Sequence, residues 1–208
     1  MIEQLQTTLN QPLPGLQAQM KMAPPTRLHR EYQIPENARK SAVMALFYPY
    51  RHEHDYHLVF MKRAEDGRAH SGQISFPGGK WEESDRDFID TALRETEEEI
   101  GVSPSEIEVL GTLTELYIPV SNYLVFPAVG YAHQRPDFIP DPKEVAEIIE
   151  VPVGCLLEKG TCGIHPVRAR GFSFEAPAYK IDQYTIWGAT AMMVSELSEI
   201  LRETKISL

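Results

Sequence analysis

The stretch Gly79–Val102, GKWEESDRDFIDTALRETEEEIGV, decides how this chain is read. Within it Glu95, Glu98 and Glu99 fall at helical offsets i, i+3 and i+4. At about 100° per residue they share an arc of roughly 100°, which puts three carboxylates on one face. Like charges at these spacings cost an isolated helix roughly 0.2–0.5 kcal/mol per pair, so such a face invites a cation. Clusters of oxygen ligands favour hard ions such as Mg²⁺ or Mn²⁺. Taken alone, the TEEE run equally suits a solvated helix face.

The residues around it sharpen the reading. Ile89, Ala92, Leu93, Thr96 and Ile100 form an apolar stripe about 120° around the axis from the glutamates, so one side can bury while the acidic side meets a cleft. Arg94 lies one turn before Glu98 and is placed to pair with it, Glu97 points to solvent, and Gly101 suits a left-handed C-terminal cap. Upstream, Phe76-Pro77-Gly78-Gly79 follows the short stretch Gln73-Ile74-Ser75. Consecutive glycines permit a sharp turn and a close backbone approach, with N–H groups available to phosphate oxygens.

Together Gly79, Asp85, Arg94, Glu95, Glu98, Glu99, Gly101 and Val102 resemble a Nudix box, the signature of hydrolases that cleave a nucleoside diphosphate linked to another moiety. Two departures stand out: Asp85 replaces the usual Glu, with eight rather than seven residues before Arg94, and Thr96 stands where an aliphatic residue is usual. A second resemblance lies upstream. Val59-Phe60-Met61-Lys62-Arg63-Ala64, Arg68, Gly72 and the FPGG run are similar to the extended signature of coenzyme A pyrophosphatases, whose box also carries Asp and the longer spacer.

The resemblance implies an α/β fold, a mixed β-sheet packed between helices in an α/β/α sandwich; periodicity alone supports only a mixed αβ domain. It implies catalytic and metal-binding roles for Glu95, Glu98 and Glu99, with Mg²⁺ or Mn²⁺ as cofactor. The substrate implied is coenzyme A or an acyl or oxidised derivative, cleaved to 3′,5′-ADP and 4′-phosphopantetheine. Lys62, Arg63 and Arg68, with His70, are candidate contacts for its negative charge, and Gly78 and Gly79 for its phosphates. The alternative for Lys62 and Arg63 is that they merely end an edge strand in solvent. The general base of the family lies in the box or on a later acidic loop, where Glu144 and Glu147 are candidates. A loop at Ile118–Asn122 makes Tyr117 and Asn122 candidate contacts to base or pantetheine. Rival substrates are ADP-ribose, NADH, oxidised nucleotides or dinucleoside polyphosphates, for which Tyr117 is a positional hint. A non-catalytic Nudix ligand-binding module is the distant alternative; such domains typically lose box glutamates, and all three are present.

Composition bounds the rest. With 208 residues the chain suffices for one domain with a substantial core. A formal net charge of −10 argues against nucleic acid and against an anionic membrane surface; the resemblance implies a small nucleotide as partner, with homodimerisation open. Cys155 and Cys162 form no CxxC pair and lack companions for a zinc site; they read as isolated small hydrophobes of a reducing compartment, with a structural disulfide as the alternative. The first 20 residues are polar and broken by Pro12 and Pro14, unlike a secretory signal, and cytoplasm is the expected location.

Along the chain, residues 1–40 read as an N-terminal arm with a short helix over Met1–Asn10 and a Pro- and Arg-rich linker, and residues 41–208 as the Nudix domain. Strands are expected at Ser41–Tyr48, His57–Lys62, Glu106–Tyr117, Tyr123–Gly130, Val145–Val151, Ile164–Ala169, Phe172–Phe174 and Tyr179–Trp187. Val153–Leu157 reads as a short helix, and Thr190–Glu203 as a longer one packed through a stripe of Met193, Leu197, Ile200, Leu201 and Thr204. The loop with His52 and His54 has nothing to organise a metal.

Overall fold

A computed structural model describes residues 2–25, 27, 33–51, 55–65, 67, 70–158, 160–169 and 171–204. Five helices are found among them: α1 Ile2–Leu9, α2 Gly15–Met20, α3 Phe88–Ile100, α4 Val153–Leu157 and α5 Gly188–Glu203. The strands are β1 Arg39–Pro49, β2 Tyr56–Arg63, β3 Ile74–Ser75, β4 Gly78–Lys80, β5 Ile107–Thr112, β6 Leu116–Ile118, β7 Tyr123–Ala132, β8 Val145–Pro152, β9 Cys162–Ala169, β10 Phe172–Ile181 and β11 Tyr184–Trp187.

The mixed sheet is organised around β1, whose apolar run is buried on both sides as a central strand requires. Along one edge β1 runs parallel to β7 from Arg39↔Tyr123 to Phe47↔Tyr131. Along the other edge it changes partner: β4 pairs with it at Ser41↔Lys80 to Val43↔Gly78, and β2 at Phe47↔Leu58 to Pro49↔Tyr56. Beyond that contact the same edge of β2 pairs with β3, while β8 pairs along its opposite edge from His57↔Pro152 to Arg63↔Val145. Lys62 and Arg63 therefore end an interior strand, not an edge strand in solvent.

Side chains alternate across this sheet. Ala42, Met44, Leu46 and Tyr48 share a core with Ala92 and Ile100 of α3. Val43, Ala45 and Phe47 face a larger core built with Leu197, Ile200 and Leu201 of α5 and Leu5 and Leu9 of α1. The sheet thus lies between α3 on one face and α5 and α1 on the other, which is the α/β/α arrangement expected. Removing a fully buried side chain such as Ile100 or Phe47 would cost about 2–5 kcal/mol.

Four details differ from the sequence reading. Helix α2 was not expected, because its six residues carry too short a pattern to read; Met22 and Ala23 beyond it are buried in the larger core. Expected strand Glu106–Tyr117 is two strands, β5 and β6. Expected strands Phe172–Phe174 and Tyr179–Trp187 are redrawn as β10, continuous through Pro177, and β11, separated at Asp182 with φ 50°. Pro177 is tolerated because β11 pairs with β10 only from Ala178 onward. On α3, Thr91 and Glu99 are buried, whereas Ile89 and Leu93 are only partly so. No helix among the described residues is long and apolar enough to cross a membrane.

Candidate active site

Helix α3 is fixed at both ends. Asp87 caps its start, accepting from the Asp90 N–H at 2.8 Å, and Gly101 ends it in the left-handed region at φ 76°. The last carbonyls do not wait for water: Asp141 N–H donates to Glu99 O and Ile139 N–H to Ile100 O, both at 2.9 Å. The segment after β7 is thereby tied to the end of the acidic helix.

The three glutamates lie on one arc, but the arc crosses the protein boundary. The Glu98 side chain is 58% exposed, that of Glu95 14% and that of Glu99 3%. Arg94 grips the outer part of the cluster. It donates through Nε and Nη2 to the two oxygens of Asp85 (2.8 and 3.0 Å), through Nη1 to Glu95 (3.0 Å) and Glu98 (3.2 Å), and through Nη2 to Lys80 O (3.0 Å). Asp85 also accepts from Glu82 N–H and Thr91 Oγ1. The Arg94 guanidinium, foremost, holds the Asp85 carboxyl well below the usual range. The unusual acid of the box is thus the anchor of its arginine, and the expected Arg94–Glu98 pair is one of several that Arg94 makes.

The glycines do something different from what their sequence suggested. The Gly78 N–H is not free for a phosphate; it donates to Glu99 Oε2 at 2.7 Å. A Cβ on Gly78, at φ 151°, would stand 2.3 Å from Ala42 O and 2.5 Å from Val43 Cα. At Gly79 a Cβ would stand 2.3–2.5 Å from the Glu95 carboxylate. One glycine lets β4 press against β1; the other lets Glu95 lie on the backbone. The pair forms the floor on which the acids rest.

Of the basic residues, Arg63 reaches the cluster, with Nη1 3.5 Å from Glu99 Oε1. Lys62, the next residue along β2, does not join it; its Nζ lies 3.8 Å from Glu65 Oε1. Arg68, His52 and His54 lie outside the described residues. His70 sits at φ 69°, its ring hydrogen-bonded to Gln73 Oε1 at 2.9 Å. Tyr117 donates to Asn122 Oδ1 at 2.9 Å, pinning the turn between β6 and β7.

Glu144 and Glu147 part company. Glu147 accepts from the Tyr184 hydroxyl at 2.5 Å. Glu144 is tied by its carbonyl to Ala64 N–H (2.8 Å), beside Arg63, and its charge bears on both Glu95 and Glu99. Burial first, then repulsion from Glu95 and Glu144, pushes the Glu99 carboxyl up to about 8 despite the Gly78 N–H and Arg63. Burial likewise raises Glu95.

Among the described residues no three His, Cys, Asp or Glu side chains converge tightly enough to hold an ion as they stand, Arg94 and Arg63 being engaged with them. The donor set nonetheless fits a hard cation. Glu95, Glu98, Glu99 and Glu144 are all oxygen donors, and burial, foremost, disfavours the charged forms of Glu95 and Glu99, with repulsion among the acids adding to it.

Residues 38–160 match the NUDIX domain family. The chain is 33% identical over 181 residues to the uncharacterized Nudix hydrolase NudL of Photorhabdus laumondii subsp. laumondii, covering 87% of this chain and 92% of that one. Its fold is similar to that of RenU, a Nudix hydrolase from M. smegmatis (TM-score 0.57, 15% identity, 80% of this chain and 87% of that one). It is also similar to the NUDIX domain of Shewanella oneidensis NrtR, solved with ADP ribose (TM-score 0.51, 16% identity, 84% and 93%). The chain belongs to the Nudix hydrolase family, enzymes that hydrolyse phosphoric anhydride bonds.

Proposed function

We propose that this enzyme hydrolyses the pyrophosphate bond of coenzyme A or an acyl or oxidised derivative, releasing 3′,5′-ADP and 4′-phosphopantetheine or its derivative. One observation carries the reading. Arg63, from the upstream basic signature, stands at the carboxylate of Glu99, from the box, so that two motifs separated in sequence meet in one place. The intervening chain is laid onto the same sheet, β3 pairing with β2 and β4 with β1.

Glu95, Glu98 and Glu99 would hold Mg²⁺ or Mn²⁺, with Glu144 at their side. Bound there, the cation supplies charge neutralisation for the phosphate oxygens and acidifies water. Arg63 offers positive charge to the substrate, whereas the Lys62 amine is directed to Glu65, and the sheet floor at Gly78 and Gly79 keeps the glutamates in place. Glu144 is the better of the two candidates for the general base, because it lies beside Arg63 and acts on the charges of Glu95 and Glu99, whereas Glu147 is engaged by Tyr184.

The test is an assay of the purified protein with Mg²⁺ or Mn²⁺ against coenzyme A, acetyl-coenzyme A, ADP-ribose, diadenosine tetraphosphate and NADH. Selective release of 3′,5′-ADP is the expected result. Preference for ADP-ribose or the dinucleotide would replace the substrate, and binding without turnover would make the chain a ligand-binding module.

A further inference from the structure

Two arginines reach the acidic cluster, and they are held in contrasting ways. Arg94 is pinned by Asp85, Glu95, Glu98 and the Lys80 carbonyl. Arg63 meets Glu99 Oε1 through Nη1 alone, at 3.5 Å, the far limit of a hydrogen bond. Its side chain remains 31% exposed, while the carboxylate it touches is enclosed.

The backbone beneath Arg63 is firmer than its tip. Arg63 N–H donates to Gln73 O at 3.0 Å, Ala64 N–H donates to Glu144 O at 2.8 Å, and the pairing with β8 slips register between Lys62 and Arg63. Bulges of this kind commonly re-aim a side chain next to an active site. The result is a fixed base carrying a lightly held guanidinium, directed at the most enclosed acid of the site.

We propose that Arg63 is an exchangeable counter-ion. It holds Glu99 while no divalent cation is bound, and on cation binding it turns its guanidinium to a phosphate oxygen of the substrate. Glu99 Oε2 is taken by the Gly78 N–H, so guanidinium and cation compete for Oε1. Once displaced, the planar fork of donors suits a phosphate, and the side chain already lies partly in solvent. Lys62 does not substitute, because its amine is directed to Glu65. Cation and substrate then bind with positive coupling, and by linkage each strengthens the other equally. This inference rests on the reading of Glu95, Glu98 and Glu99 as the cation site.

The experiment measures Mn²⁺ binding to the full chain by electron paramagnetic resonance of free Mn²⁺, with and without methylenediphosphonate, a non-hydrolysable phosphate probe. Complexation of Mn²⁺ by the probe in solution is common to all variants and cancels in their comparison. In wild type the probe is expected to tighten Mn²⁺ binding by roughly fivefold or more. In R63Q, Mn²⁺ alone should bind at least as tightly as in wild type, and the coupling should fall towards one. R63K, which keeps the charge without the fork, should retain part of it. Wild-type coupling in R63Q, or no coupling in wild type, overturns the proposal. So does weaker binding of Mn²⁺ alone in a folded R63Q, which would make Arg63 a support for Glu99 and not its competitor. If Mn²⁺ binding to wild type is matched by that to E99Q, the cation site itself is misassigned, a distinct failure.

Discussion

The backbone N–H of Gly78 donates to the buried Glu99 carboxylate at 2.7 Å, so the sheet floor and the acidic helix are joined by the glycine that sequence alone would give to the substrate. The two neighbouring glycines then predict opposite phenotypes. Gly78→Ala places a methyl against Ala42 O and Val43 Cα in a backbone region reserved for glycine, and should destabilise the fold by roughly 2–4 kcal/mol in urea denaturation. Gly79→Ala meets only the movable end of Glu95, and should lose turnover while its denaturation midpoint stays near wild type.

Asp85 and Arg94 form the enclosed pair that steadies the box. Asp85→Asn leaves Arg94 without its main counter-charge and should cost about 3 kcal/mol at neutral pH. In wild type the Asp85 carboxyl lies well below its ordinary value of 3.8, so the unfolded chain takes up the proton first. Its stabilisation is complete above that value and is lost as pH falls below about 4 through the folded pKa. Acid denaturation curves of wild type and D85N should therefore converge at low pH.

Glu99 predicts the opposite slope. Its carboxyl is raised from an ordinary 4.5 to about 8, so between these values the folded form keeps a proton that the unfolded chain has released. Stability of the metal-free protein should fall as pH rises from about 4.5 to about 8. Glu99→Gln removes that penalty, on the order of a few kcal/mol at the alkaline end, and should raise the metal-free Tm at pH 8 more than at pH 5. The same variant should lose about a thousandfold in turnover, about 4 kcal/mol of barrier. A Tm–pH profile of E99Q that parallels wild type would refute the assignment.

Glu144 and Glu147 are separated by kinetics. Glu144→Gln should lower kcat by about a hundredfold or more if it transfers a proton or supports the cation. Glu147→Gln, which loses a hydrogen bond from Tyr184, should remain close to wild type. Equal effects in both variants would remove the distinction.

Glu196 of α5 tests a purely structural acid. It is wholly buried and accepts from Gly15 N–H, Gln19 Nε2, Thr114 N–H and Thr114 Oγ1, which joins α2 and the β5–β6 turn to α5. Glu196→Ala strands these donors and should cost roughly 2–4 kcal/mol in chemical denaturation, with kcat per folded molecule unchanged.

The sequence by itself determined the acidic helix, its Gly101 end, the floor glycines as a motif, most strands and the Nudix family. Those features are local: helical phase, charge spacing and alternation are written within short windows, and the box compresses a site into two dozen residues. Only the tertiary structure decided which glutamate is buried, that Gly78 serves Glu99, that Arg63 and Lys62 part, and that Glu144 rather than Glu147 stands by the cluster. The α5 stripe was legible as core, yet Glu196 within it was not, since its partners lie 82 to 181 residues away. Helical phase tells which side chains share a face. What covers that face, and with which charge, depends on strands brought from elsewhere in the chain.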